Sequence, residues 1–287
     1  FTQKDQPDAI PYVTSYYKKS WGFCMSENQK KKLQSGKYKI IVDSNFKKGN
    51  MEIAHLTLKG KSKKEIFFSS YICHPSMANN ELSGPVVVNA LIKYIKKKFP
   101  KRKYTYKFVL QPETIGSIAY LSKFKNKLKK NVICGFNITC VGDERGYSYV
   151  KTPEENTLAD QAMQAALFGK KNLKTYSFLF RGSDERQYCS PGIDLPVCSF
   201  SKSYKYFKEY HTNKDNFNVV TQKGLQDSLN ILTNIIDAFE LGLYPKSKTL
   251  CEPNLGKRNL YPTLSYKDVY SKQIFLRKNF IAYSNGK

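Results

Sequence analysis

Between residues 65 and 241, short apolar runs alternate with stretches whose apolar positions recur every three or four residues. The runs 65–73, 104–111, 132–141, 176–180 and 195–200 read as strands, and 85–98, 115–127, 156–167 and 221–241 as helices. In the last helix Leu225, Leu229, Leu232, Ile235, Ile236 and Phe239 share one face, which predicts core packing. This alternation predicts an α/β fold, a mixed, largely parallel sheet between helices. Ahead of it, Tyr38-Lys39-Ile40-Ile41-Val42-Asp43 and Met51 to Leu58 alternate with period two around the turn-forming Lys47-Lys48-Gly49-Asn50, which predicts a hairpin. Pro11 to Tyr17 and Trp21 to Cys24 are too aromatic for a free tail. After Pro245 the chain becomes loop-like. The expected division is a β-rich segment over 1–62, an α/β domain over 63–248 and a C-terminal segment over 249–287.

Composition narrows the function classes. A chain of 287 residues with 40% hydrophobic content is long and apolar enough for a substantial core, which excludes disorder for most of it. No apolar run approaches the roughly 18 residues of a membrane span, so no membrane insertion is expected. The 7 cysteines contain no Cys-x-x-Cys pair and are expected as reduced thiols in a cytoplasmic protein. Cys73 has a histidine beside it, but adjacent residues of a strand face opposite ways. The net charge of +25 comes mostly from dispersed lysine clusters, among them Lys30 to Lys32, Lys96 to Lys98 and Lys127 to Lys130. They read either as solvated surface or as attraction to an anionic partner, such as acidic saccharides or a membrane surface. Arginine and aromatic residues are not interleaved, so nucleic acid is not the expected partner.

Two of the three histidines, His74 and His211, stand in glycine- and carboxylate-rich turns. Amide hydrolysis needs a Lewis acid, a carboxylate to take a proton from water, and ligands that leave a coordination position open. Candidate parts fall at the predicted strand ends: His74, Asn79-Asn80-Glu81, Gln111-Pro112-Glu113-Thr114, Val141-Gly142-Asp143-Glu144, Ser183-Asp184-Glu185-Arg186 and His211. Open α/β sheets gather distant residues there. Arg181 and Arg186 flank Asp184 and Glu185. Either the guanidinium groups clamp a substrate carboxylate while the acids hold an amino group, or the four form an internal salt-bridged loop.

The order His74…Asn80-x-x-Ser83-Gly84…Glu113…Gly142-Asp143…Ser183-Asp184-Glu185…Tyr210-His211-Thr212-x-x-Asp215 resembles the zinc-dependent aminopeptidase superfamily, whose fold is a mixed eight-stranded sheet between helices. It is more similar still to bacterial aminopeptidase-like proteins of surface-polysaccharide loci, which add an embedded β-rich domain and a C-terminal winged helix. Tyr12 to Cys24, Cys73 to Pro85, Pro112 to Ser117, Arg181 to Arg186 and Leu255 to Arg258 carry that likeness. The resemblance implies that His74 and His211 are zinc ligands and Glu113 the general base, and leaves His55 structural. Asn80 stands where the superfamily has its bridging aspartate, and Thr139 where it has an aspartate at the next strand end, with Asp143 the nearest carboxylate. One zinc is therefore expected rather than two, at the Asn80 turn, held by His74, His211 and a carboxylate such as Asp143 or Glu81. The implied function is a zinc-dependent hydrolase acting on an amide of a small peptide or an amide-bearing sugar. Alternatives are a catalytically degenerate binding or scaffold protein and a nucleic-acid-binding regulator acting through a winged helix.

Overall fold

The computed structural model describes residues 1–14, 19–204, 207–242, 245–261 and 272–284. The chain divides into two compact units, Phe1–Glu240 and Leu241–Lys287. In the first, β1 (Ala54–Leu58), β2 (Glu65–Tyr71), β3 (Thr105–Gln111), β4 (Val132–Ile138), β5 (Tyr147–Val150), β6 (Leu173–Tyr176) and β7 (Val197–Ser201) form a 7-stranded sheet in the order β1-β3-β2-β4-β7-β5-β6. Strands β3, β2, β4 and β7 run parallel, whereas β1 lies antiparallel to β3 and β5 to β7. The sheet is mixed and mostly parallel, as expected.

The pleat explains the two-sided core. Along β2, Ile66 and Phe68 join one apolar cluster and Phe67 the other. The first cluster takes Val87, Val88, Leu91 and Ile95 of α2 (Ser83–Lys98), Met163 and Leu167 of α4 (Leu158–Leu167), and Leu232, Ile235, Ile236 and Phe239 of α6 (Gln222–Leu241). The second takes Tyr120, Leu121 and Leu128 of α3 (Ile115–Asn131) and Tyr188 of the short α5 (Glu185–Tyr188). The lysine clusters fall in the last turns of α1 (Glu27–Lys31), α2 and α3, where cations complement the negative end of the helix dipole. No helix among the described residues is long and apolar enough to cross a membrane.

Several elements differ from expectation. The hairpin is not formed: 37–53 carries no strand, and Ala54–Leu58 instead pairs with β3, from Ala54 opposite Leu110 to Leu58 opposite Tyr106. An open edge of an already buried sheet offers more pairing than an isolated hairpin, and β1 buries Leu58 by taking it. Strand structure in 1–62 is thus confined to β1 among the described residues. The 176–180 strand is displaced to Leu173–Tyr176, with a 3₁₀ turn at Phe178–Phe180, and β5 and α5 are additional. In the second unit, a 3₁₀ turn at Gly256–Arg258 and α7 (Lys272–Ala282) are present. The expected start of a winged helix falls partly in 262–271 and 285–287, and the Tyr12 to Cys24 motif partly in 15–18; these lie outside the described residues.

The order of strands reverses at β2, since the chain passes to β3 on one side and then to β4 on the other. That switch point opens a crevice at the carboxyl ends of the strands. Gly84 lets α2 start there. A Cβ at Gly84 would stand 2.6 Å from the Ile138 carbonyl oxygen and closer still to Ser70 Oγ. Gly84→Ala is therefore expected to cost about 1–3 kcal/mol through overpacking, read as a lowered urea midpoint. An unchanged midpoint would mean that α2 is not seated as described.

Candidate active site

Beyond Tyr71 the chain leaves the sheet, passes Cys73 and His74, and enters α2 through a π-helical turn, Ala78–Leu82. A helix start leaves backbone N–H groups without partners. Here Asp215 satisfies them: its Oδ1 accepts from the Asn79 N–H at 2.6 Å, its Oδ2 from the Asn80 N–H at 2.8 Å, and its carbonyl oxygen from the Ala78 N–H at 3.1 Å. Burial pushes the Asp215 carboxyl upward, opposed by these donors. Asp215 closes the loop that carries His211, so the same contact brings the two histidines together, ring centroids 4.9 Å apart. Tyr210 stacks on His211 at 3.9 Å, and Tyr12 lies 5.6 Å from each imidazole. His211 has φ +55, Thr114 φ +63 and Cys140 φ +51. Such left-handed, non-glycine backbone clusters where surrounding contacts over-determine it.

Glu81 accepts from the backbone N–H of Cys73 in a short bond and from that of His74 at 2.9 Å, and its Oε2 lies 3.2 Å from His74 Nδ1. Cys73 Sγ is 3.3 Å from the same nitrogen. The expectation that Cys73 faces away from His74 is corrected, because β2 ends at Tyr71 and strand alternation no longer applies. The ligand atoms of Cys73, His74 and Glu81 all lie within 4.8 Å of one another, and this is the metal-capable group among the described residues. His211 lies outside that group, its ring beside that of His74, and its Nε2 is buried without a hydrogen-bond partner among the described residues. The donors of Cys73, His74 and Glu81 fit a zinc ion. Burial opposes charge on His74, but Cys73 and Glu81 against the ring outweigh it and push its pKa up to about 10. His211, buried and facing His74, is brought down to about 4.

Glu113 follows β3, with its N–H directed to Cys73 Sγ at 3.4 Å. Burial, reinforced by the nearby Asp184 charge, pushes its carboxyl up to about 7 despite the opposing Ser183, His74 and Arg186. Beside it opens a cavity of about 310 Å³ lined by Tyr71, Thr139, Cys140, Ser183, Tyr204 and Tyr210 among others.

Other expected site residues are placed differently. Asp143 is buried with its carboxylate taken by Ser203 Oγ at 2.7 Å, the Arg145 N–H at 2.9 Å and Asn79 Nδ2 at 3.3 Å, so it braces the turn and lies outside the metal-capable group. Asn80 is buried, its Oδ1 accepting from the Tyr71 hydroxyl at 3.4 Å. Asp184 accepts from the Thr114 N–H and Ser117 Oγ, both at 2.8 Å, and Glu185 from the Gly182 and Ser183 N–H groups and Asn137 Nδ2. Both acids are buried and occupied by neutral donors, so neither offers the expected hold on a substrate amino group, and the loop is not salt-bridged through them. Arg181 lies over the Phe178 ring, and Arg186 donates to Thr114 Oγ1; both are exposed. His55 sits on edge strand β1 against Tyr120 and Phe124, a packing role. Sequence reasoning missed Asp215, which stands in the quoted motif, because its partners are backbone groups 135 and 136 residues away. All 7 cysteines are free.

Sheet order, crevice and histidine pair define an aminopeptidase-like α/β protein. The chain belongs to the family described as Domain of unknown function (DUF4910), whose model matches residues 9–242. A Clostridium acetobutylicum protein described as a polysaccharide biosynthesis protein with aminopeptidase-like domain is 37% identical over 286 residues, covering 98% of this chain. The chain spans 64% of that curated relative's length. A crystal structure named as a peptidase from the same species matches with TM-score 0.84 and 34% identity, over 100% of this chain and 65% of that one. The fold is also that of a zinc aminopeptidase from Bacillus subtilis (TM-score 0.54, 18% identity, 64% of this chain and 48% of that one) and an Acidobacteriales bacterium glutaminyl cyclase (0.56, 13%, 67% and 74%).

Asp215→Ala strands the Asn79 and Asn80 N–H groups and is expected to cost on the order of 3 kcal/mol, with Asp215→Asn, which keeps one acceptor, losing less. Chemical denaturation of both variants checks this; equal and negligible losses would show that the turn does not depend on the carboxylate.

Proposed function

We propose that this chain is a zinc-dependent hydrolase of aminopeptidase-like type that cleaves an amide of a small peptide or an amide-bearing sugar. The observation that carries this reading is the Cys73, His74 and Glu81 group, with the His211 ring 4.9 Å from that of His74 and Glu113 at the neighbouring strand end. His74, His211 and Glu81 would hold the zinc, which when bound supplies a Lewis acid to polarise the amide carbonyl. Glu113 takes a proton from the attacking water and returns it to the departing amine. Thr114, pinned by Asp184 and Arg186, keeps Glu113 turned toward the crevice. The tyrosine- and hydroxyl-lined cavity suits an uncharged ring or side chain on the substrate. The description of the Clostridium acetobutylicum relative supports a place in polysaccharide biosynthesis.

The neutral amide of Asn80 favours a second reading, a binding protein that keeps the crevice without turnover. Glu113→Gln separates the two: zinc content and fold should be retained while hydrolysis falls by about 10²–10⁴-fold. Loss of zinc in this variant would move Glu113 into the ligand set, and an inert wild type across amide substrates would favour the binder. For the metal, His74→Ala or His211→Ala should remove most bound zinc by elemental analysis and His55→Ala should not. Equal zinc in all three would contradict the assignment.

A further inference from the structure

We infer that Cys73 supplies a thiolate ligand to the metal centre, so that Cys73, His74 and Glu81 form a mixed sulfur, nitrogen and oxygen site selective for soft divalent cations such as zinc over manganese or magnesium. This deepens the proposed zinc reading and rests on it; with His211 the thiolate would make four protein ligands, so the attacking water would take a fifth position.

Spacing is the first support. In a tetrahedral zinc site with the usual bond lengths, neighbouring sulfur and nitrogen or nitrogen and oxygen ligands stand about 3.3–3.6 Å apart. Cys73 Sγ and His74 Nδ1 are separated by 3.3 Å, at the lower end of that range, and His74 Nδ1 and Glu81 Oε2 by 3.2 Å, just under it, and all three ligand atoms lie within 4.8 Å of one another. The backbone is the second. Anionic ligands are held by N–H donors in their surroundings, and here the Glu113 N–H is directed at Cys73 Sγ while the Cys73 and His74 N–H groups both serve Glu81. Charge is the third. Asn80 is neutral and Asp143 is committed to Ser203, Arg145 and Asn79, which leaves Glu81 as the carboxylate of the group. A thiolate beside it brings the anionic donors to two and balances a divalent cation. Thiolate donors favour zinc and cobalt, whereas manganese and magnesium prefer oxygen.

Cobalt(II) tests this because a sulfur ligand announces itself optically. Titrating the metal-free full chain with cobalt(II) under reducing conditions should give visible ligand-field bands together with an intense near-ultraviolet sulfur-to-cobalt charge-transfer band. Cys73→Ser should lose the near-ultraviolet band, keep ligand-field bands and bind cobalt about tenfold or more weakly, while Cys140→Ser keeps both. Cys73→Asp, which restores the charge without sulfur, should narrow the preference for cobalt over manganese. Ligand-field bands without charge transfer in the wild type would overturn the thiolate and leave the zinc reading standing. Charge transfer surviving in Cys73→Ser would assign the sulfur to another residue. No cobalt bands at all would overturn the metal reading itself.

Discussion

The site depends on one buried carboxylate joining two distant turns. Asp215 binds the N–H groups of Asn79 and Asn80 through separate oxygens. Remove that contact and the π-turn loses the acceptors for its first donors, while His211 loses the anchor that holds its ring against His74. Glu81 lies in the same π-turn, and its side chain accepts from the Cys73 and His74 backbone N–H groups. Fold and chemistry meet in this joint, at the switch point of the sheet.

Much of the α/β layout was legible because its signal is local. Strands β2, β3, β4 and β7 and helices α2, α3, α4 and α6 show their periods in the apolar residues, and Leu232, Ile235, Ile236 and Phe239 pack as their spacing implies. The hairpin failed for a non-local reason: the second strand had a competitor, the edge of β3, invisible to a reading of neighbouring residues. Cys73 failed for a boundary reason. The apolar run reaches residue 73, yet the strand stops at Tyr71, and two residues of difference reversed where the thiol points.

The acids show the sharpest limit. Asp143, Asp184, Glu185, Asp215 and Glu81 all stand in or beside turns that follow strands or lead into helices, and composition cannot rank them. Geometry does. Four of them serve chiefly to satisfy N–H and hydroxyl donors left over where strands end and helices begin, as buried polar groups must be. Glu81 alone among these carboxylates also lies against an imidazole nitrogen in the metal-capable group. A turn crowded with acids therefore reflects the demands of the backbone as much as those of the chemistry, and the carboxylate that matters is identified by what its oxygens face.

In the proposed reading a single metal ion would sit where the end of β2 and the π-turn meet the His211 loop. Diffraction from zinc-soaked crystals on both sides of the zinc absorption edge tests it most directly. One anomalous peak within bonding reach of His74 and Glu81 is the expected result. A peak confined to Asp143 or to the Asp184 loop, or no peak at the histidine pair under saturating zinc, would contradict it.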